Sequence, residues 1–269
     1  MVTRLDALSI SRSVRIRTGG QVLAVFERAC DLVTPRDSAL NEVTGNVVAL
    51  VLAEIGNGPL NVVIEGQPGI FAAVESGTPA WTEGSTLSLG NLEIELDCAA
   101  VWEPRPDWEE LRRHRARIES HLPLLRDLAQ HQAPHDSLLP LLKAESDLTG
   151  FGKLVRSDLA TQFAGLGSGL TPAGDDFLMG VMLRAWLSHP EPKPFCEQLA
   201  KVAAPCTTTL SAALLRAAAR GECNTAWHHL LDALAGETEN VLAAAVGSVL
   251  AHGHTSGADT LTGFLWLNP

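Results

Sequence analysis

Two short segments hold the residue types best suited to chemistry. The first is GLGSGLTPAGDDFLMG, residues 165–180. Gly165, Gly167 and Gly169 make a loop whose backbone can come close to a ligand, because no Cβ stands in the way. Thr171 then has N-cap chemistry, and Pro172 suits the first helical position, where a missing N–H costs nothing. A helix start of this kind presents unpaired N–H groups and a partial positive charge, which suits a carboxylate or phosphate. Asp175 and Asp176 follow in the first turn and allow three readings. They can satisfy the helix dipole, hold a hard cation such as Mg²⁺ through oxygen, or accept hydrogen bonds from an amide of a ligand.

The second segment, HGHTSGADTLTGF at residues 252–264, repeats this grammar. Gly174, Asp176, Leu178 and Gly180 follow the pattern G-x-D-x-L-x-G, as do Gly257, Asp259, Leu261 and Gly263. A threonine precedes each, Thr171 or Thr255, placed to cap a helix. The bland reading of either segment alone is capping electrostatics. Together they can bring two helix N-termini and two aspartates around one small pocket, with Gly180 and Gly263 letting the helices cross closely.

The remaining reactive side chains form no recognised catalytic set. His252 and His254 flank Gly253, but Gly253 is better read as ending the preceding helix, with His252 near that helix's negative end. His228 and His229 are adjacent, so they point to different helix faces. No GxSxG nucleophile elbow is present. In CTTTLSAALLRAAARG, residues 206–221, Arg216 and Arg220 lie four apart on one predicted helix that Gly221 stops. A solvated face is the simpler reading of this pair, and a planar fork on a carboxylate or phosphate is the functional one.

The elements that must position these residues fall into two regions. Residues 1–105 hold 7 Arg against 13 Asp and Glu, and the first Lys of the chain is Lys143. Short apolar or alternating runs, VVALV (47–51), NVVIEG (61–66) and LEIEL (92–96), are punctuated by glycines at turn-like spacing. They predict a β-rich domain, a small barrel or sandwich. In LEIEL, Glu93 and Glu95 read as a wet strand face. EPRPDW (103–108) is the candidate boundary, and from there the period becomes helical. Trp108, Leu111, Ile118, Leu122 and Leu125 form a stripe, with Arg112, Arg113, Arg117 and Arg126 on its solvated side. Helices are predicted near 137–146, 151–163, 172–187, 194–203, 208–220, 224–235, 238–251 and 256–267. The fold class is therefore α+β, with a β-rich domain over 1–105 and an α-helical domain over 106–269 carrying both motifs.

Composition narrows the function classes. The 269 residues are 46% hydrophobic and 19% charged, with net charge −11, which supports a globular core and disfavours a polyanion partner such as nucleic acid. No apolar run approaches the roughly 18 residues of a membrane span, and the first residues lack a signal-peptide core. Five cysteines without a CxxC pair argue against a disulfide framework or thiolate zinc site and fit a reducing cytoplasm.

GLGSGLTPAGDDFLMG, TTTLSAALLRAAARG and GHTSGADTLTGF together resemble the AllH-like family, as does VLAVFERACDLVT at residues 22–34. The resemblance implies one subunit of an oxamate carbamoyltransferase of anaerobic allantoin breakdown. That enzyme converts oxalurate and phosphate into oxamate and carbamoyl phosphate, and the subunit works with two others, one of them FdrA-like. Gly167, Gly169, Thr171, Pro172, Asp175 and Asp176 match the first motif. His254, Thr255, Ser256, Gly257, Asp259 and Gly263 match the second, and Ser211, Arg216 and Gly221 match the intervening helix. Gly174 departs from the bulkier residue of some members. Under this resemblance Asp176 and Asp259 are the candidate catalytic residues. Gly167, Gly169, Thr171, Asp175, Arg216, His254, Thr255, Ser256 and Gly257 then bind substrate, and no resident cofactor or metal is implied. Two other classes compete: a non-catalytic anion-binding or assembly subunit, and a divalent-metal hydrolase or phosphotransferase using Asp175 and Asp176.

Overall fold

The computed structural model describes residues 2–16, 19–34, 47–142, 159–236 and 238–266. The chain divides into two compact units, Met1–Pro104 and Arg105–Pro269.

The first unit is a β-barrel. Its strands are β1 (Thr3–Ser11), β2 (Gly20–Val25), β3 (Ala29–Val33), β4 (Val47–Leu52), β5 (Asn61–Ile64), β6 (Pro79–Glu83), β7 (Thr86–Leu89), β8 (Leu92–Glu95) and β9 (Ala100–Trp102). Hydrogen bonding runs β5-β4-β3-β2-β6-β7-β8-β1, and β1 then pairs antiparallel with β5 to close eight strands. β9 lies parallel to β1 beyond the end of β8, with Ser9 opposite Ala100 where Thr3 had faced Leu92. Alternation decides what faces inward. Leu92 and Ile94 are buried while Glu93 and Glu95 are partly exposed, as a period of two requires. Leu32, Leu50, Leu52, Val62, Ile64, Leu87 and Phe71 complete the filled interior. Closure distinguishes this barrel from a sandwich, and it depends on the long-range β1–β5 pairing that no local pattern encodes.

The second unit is helical. Its helices are α1 (Trp108–Arg113), α2 (Arg115–Gln132), α3 (Leu159–Phe163), α4 (Ala173–Ser188), α5 (Pro192–Ala203), α6 (Thr209–Ala219), α7 (Thr225–Ala235), α8 (Glu239–Leu250) and α9 (Ser256–Trp266). The helix expected over 137–146 is one 3₁₀ turn, Leu139–Leu141, with Pro140 inside it. A proline lacks the N–H that an α-helical turn needs, and such turns stay short. Residues 143–146 of that expectation, and 151–158 of the next, lie outside the described residues.

α4 and α9 are buried on nearly every side, so they form the centre around which the amphipathic helices pack. Glycines permit this. A Cβ on Gly180 would overlap the Thr260 carbonyl, and one on Gly263 would overlap the Phe177 carbonyl. Thr260 and Phe177 occupy equivalent places in the two G-x-D-x-L-x-G repeats, so the contact is reciprocal.

The arginines read as a solvated face do more than that. Arg112 donates from Nε to Trp186 O (2.8 Å) and from Nη2 to His189 O (2.7 Å) at the end of α4. Arg126 reaches Leu265 O of α9 at 3.3 Å, and Arg117 reaches Ala235 O of α7 at 3.4 Å. Helix C-termini carry unpaired carbonyls and partial negative charge, so cations close them. Two tryptophans add neutral donors: Trp108 Nε1 to Gly221 O at 2.9 Å and Trp186 Nε1 to Ala218 O at 3.1 Å.

Candidate site at the paired helix starts

The two repeats converge. Thr171 Oγ1 and Ser256 Oγ lie 3.1 Å apart, which sets the starts of α4 and α9 side by side. Thr171 is therefore not the cap of α4. Pro172 holds that position with extended backbone (ψ 142°), and no side chain caps the helix. Thr255 does stand at the head of α9, where its carbonyl accepts the Asp259 N–H at 2.9 Å.

The glycine loop is held by the chain's own backbone. Gly165, Gly167 and Gly169 have φ of +73°, +124° and +87°, a region that L side chains rarely adopt. A Cβ on Gly165 would stand 2.6 Å from Cys206 O, and one on Gly167 would stand 2.8 Å from Ala173 N. Around Gly169 there is open space. The close approach expected of a ligand is thus made, at Gly165 and Gly167, by backbone. Three N–H groups in the first turn of α4 are likewise engaged: Gly174 N–H donates to Leu166 O at 2.9 Å, and Asp175 and Asp176 N–H groups donate to Pro172 O at 2.9 and 3.2 Å.

The adjacent aspartates differ in their surroundings. Asp175 is fully buried, accepting the Gly165 N–H on Oδ1 at 2.9 Å and the Thr207 hydroxyl on Oδ2. It fastens the glycine loop and the head of α6 to α4. Thr208, the N-cap of α6, also donates to Leu170 O at 2.5 Å, as does Ser211 at 3.2 Å. Asp175→Ala is expected to destabilise the chain by about 2–4 kcal/mol, since two hydrogen bonds to a fully buried carboxyl are lost and the half-buried Gly165 N–H is orphaned. Urea denaturation measures this, and a loss under about 1 kcal/mol would contradict the anchoring role.

Among the described residues, Asp176 and Asp259 each keep one oxygen unpartnered. Asp176 is 2% exposed and Asp259 0% exposed, and the Oδ2 of each lacks a hydrogen-bond partner. Burial pushes the Asp176 carboxyl up to about 8; the Ser256 hydroxyl opposes this, and the nearby Asp259 and Asp175 reinforce it. Asp259 is also raised by burial, against the Leu138 N–H and the Thr255 hydroxyl. The Leu138 N–H meets Asp259 Oδ1 at 2.6 Å.

That last bond reveals residues the sequence reading missed. Asp136, Ser137 and Leu138 form a short loop over the second motif, with Asp136 Oδ2 2.8 Å from His254 Nε2 and Ser137 buried. The hydrogen bond from His254 holds the exposed Asp136 carboxyl below its ordinary range. These contacts span 118 and 121 residues, so no local spacing signals them. Gly257 lies inside the packing of α9 on α8, where a Cβ would overlap Val249 O. Arg216 is half-buried in the last turn of α6, about 140° around the helix from Ser211, so it occupies a different face from the one tied to Leu170.

Residues 163–267 match the family described as oxamate carbamoyltransferase subunit AllH. The AllH match therefore contains both repeats and α6, while the Asp136–Leu138 loop lies before it. No solved structure matches the chain. Among the described residues, no three His, Cys, Asp or Glu side chains converge so as to hold a metal ion, and no helix is long and apolar enough to cross a membrane. The Asp175 carboxyl needed by the metal-hydrolase reading has both oxygens engaged by donors. Two surface concavities of about 290 and 280 Å³ lie beside the end of α7, sharing Asp232 and Gly236.

Proposed function

We propose that the chain is the AllH-type subunit of an oxamate carbamoyltransferase, working in the cytoplasm with two other subunits, one of them FdrA-like, and that Asp176 and Asp259 act on the substrate. The reading is supported by the AllH match, and one observation carries the site assignment. The two matched repeats meet so that two buried carboxyl groups each retain an unpartnered oxygen. Burying a polar atom without a partner is costly, and such atoms persist where a function needs them.

In the proposed reaction a phosphate oxygen bonds to the carbamoyl carbon of oxalurate and the carbon–nitrogen bond to the oxamate nitrogen breaks. That nitrogen must leave protonated. Asp176, raised to about 8, holds a proton at neutral pH and is suited to deliver it as a general acid. Asp259, held by Leu138 N–H, accepts from the substrate's N–H groups. The ligands are oxalurate, oxamate, phosphate and carbamoyl phosphate.

The test is turnover of the assembled three-subunit enzyme carrying Asp176→Ala or Asp259→Ala. A loss of at least about 100-fold in kcat is expected for Asp176→Ala, the usual scale of a general acid. Unchanged turnover in both variants would instead favour a non-catalytic assembly subunit. That second reading has its own observation: Gly174, Gly180, Gly257 and Gly263 of the repeats all serve helix packing.

A further inference from the structure

We infer that the hydroxyls of Thr171 and Ser256 form a proton relay joining the buried Asp176 carboxyl to solvent. The inference rests on the proposed role of Asp176 as a general acid and specifies how that acid is recharged. A general acid must regain its proton before the next turnover, and Asp176, 2% exposed, is shielded from water.

Geometry supplies the connection. The Ser256 hydroxyl hydrogen-bonds to the Asp176 carboxyl, and Ser256 Oγ lies 3.1 Å from Thr171 Oγ1. Thr171 and Ser256 are both half-buried, and Gly167, Ser168 and Gly169 just before Thr171 are exposed. The chain of groups thus runs from a buried carboxyl in α4, through the start of α9, to the solvent side of the glycine loop. Each hydroxyl carries one donor and two lone pairs, so it accepts from one neighbour while donating to the next.

Other routes out of Asp176 are interrupted. Asp175 has both oxygens taken up by the Gly165 N–H and the Thr207 hydroxyl. Asp259 is 0% exposed and meets the half-buried Thr255 hydroxyl, but a proton would reach it from Asp176 only across a carboxyl–carboxyl hydrogen bond. Among the described residues no such bond joins them, and the Oδ2 of each is without a partner.

Once Asp176 has protonated the departing nitrogen, Ser256 passes its hydroxyl proton to the carboxylate, Thr171 passes its own to Ser256, and water supplies Thr171. As many O–H bonds form as break. The hydroxide left in solvent is neutralised by the proton that hydrogen phosphate sheds after its oxygen has bonded to the carbamoyl carbon. Thr171 and Ser256 act through Asp176 and are positioning residues for its proton.

The first measurement is carbon NMR of the full-length chain with aspartate labelled at the side-chain carboxyl carbon, titrated through the ionisation of Asp176. The resonance is assigned as the one lost in Asp176→Asn. The parent is expected to show one averaged resonance that moves with pH. Ser256→Ala and Thr171→Val cut the path, so the protonated and ionised forms are expected to give separate resonances that trade intensity, and Ser256→Thr is expected to restore the average. A merely structural hydroxyl would move the midpoint without slowing the exchange. Circular dichroism checks folding, and the near-isosteric Thr171→Val carries the test if Ser256→Ala does not fold. The second measurement is turnover of the assembled enzyme, where Ser256→Ala is expected to lower kcat at least about 10-fold with KM unchanged.

The inference is overturned by an averaged resonance in every folded variant, by an Asp176 already ionised at neutral pH, or by a raised KM with kcat unchanged, which would mark Ser256 as a substrate contact. Turnover lost in Asp176→Ala, with averaged exchange in both relay variants, defeats this inference and leaves the proposed function standing. Separate resonances in the relay variants, with turnover unchanged in Asp176→Ala, uphold the relay and defeat the proposed function.

Discussion

Gly180→Val is expected to lower the melting temperature of the helical unit by at least about 6 °C, and Gly263→Val by a similar amount. A side chain at Gly180 would run into the Thr260 carbonyl, with the Phe264 nitrogen 2.7 Å from its Cβ. At Gly263 it would run into the Phe177 carbonyl, with the Val181 nitrogen 3.0 Å away. Both obstacles are backbone of a central helix, which cannot rotate aside as a side chain can. Overpacking a rigid core costs about 3 kcal/mol or more, and each kcal/mol is worth roughly 2–4 °C in a unit of this size. The same crossing sets the two aspartates side by side, so these variants are also expected to lose any ligand binding at the helix starts. Thermal unfolding followed by circular dichroism decides the matter. A shift under about 2 °C would mean that the helices can separate freely. Gly169→Ala is the control: open space surrounds that position, and only the φ of +87° is strained, a cost of about 1 kcal/mol.

Stability is also expected to fall as pH rises from about 5 to 8, and Asp176→Asn to remove most of that slope. Burial raises Asp176 to about 8 in the folded chain, whereas an unfolded aspartate releases its proton near 4. Between those values the native state binds a proton that the unfolded state has lost. Unfolding then releases a proton, so higher pH favours it, by up to about 1.4 kcal/mol per pH unit. The contribution is fully present below about pH 4 and is lost as pH climbs through 8. Asp259, also raised by burial, adds in the same direction. Asparagine cannot titrate and resembles the protonated carboxyl. Urea midpoints at pH 5, 6, 7 and 8 for both proteins measure the effect. A stability that rises over this range, or an Asp176→Asn slope equal to that of the parent, would show that Asp176 ionises near its ordinary value.

Much of the fold is legible locally. The alternation of Leu92, Glu93, Ile94 and Glu95 is a strand burying one face, and that is β8. Thr208 and Gly221 read as the ends of a helix, and α6 starts after one and stops two residues before the other, Gly221 taking φ of +79°. The repeated G-x-D-x-L-x-G pattern was visible, and its close crossing at Gly180 and Gly263 follows from what glycine lacks. The misreadings share a cause. Arg112, Arg117 and Arg126 fall on the polar side of a helical wheel, and periodicity cannot tell water from the carbonyl end of a neighbouring helix. Where the expected 137–146 helix is described, it is a 3₁₀ turn through Pro140, whereas α2 accommodates Pro123 in its interior, so a proline in a periodic pattern does not by itself settle the element.

Residue types and short-range spacing, which act through backbone stereochemistry and solvation along a few turns, determined the elements and named Asp175, Asp176 and Asp259 as the residues to watch. Only the tertiary structure decided what each does. Asp175 and Asp176 are neighbours in the chain, yet successive helix positions point about 100° apart. One turns toward Gly165 and Thr207, the other toward Ser256 and Asp259. Closure of the barrel through β1 and β5, and the Leu138 N–H on Asp259, join residues far apart in sequence. Such contacts depend on which surfaces the whole chain buries together, and local spacing carries no record of that.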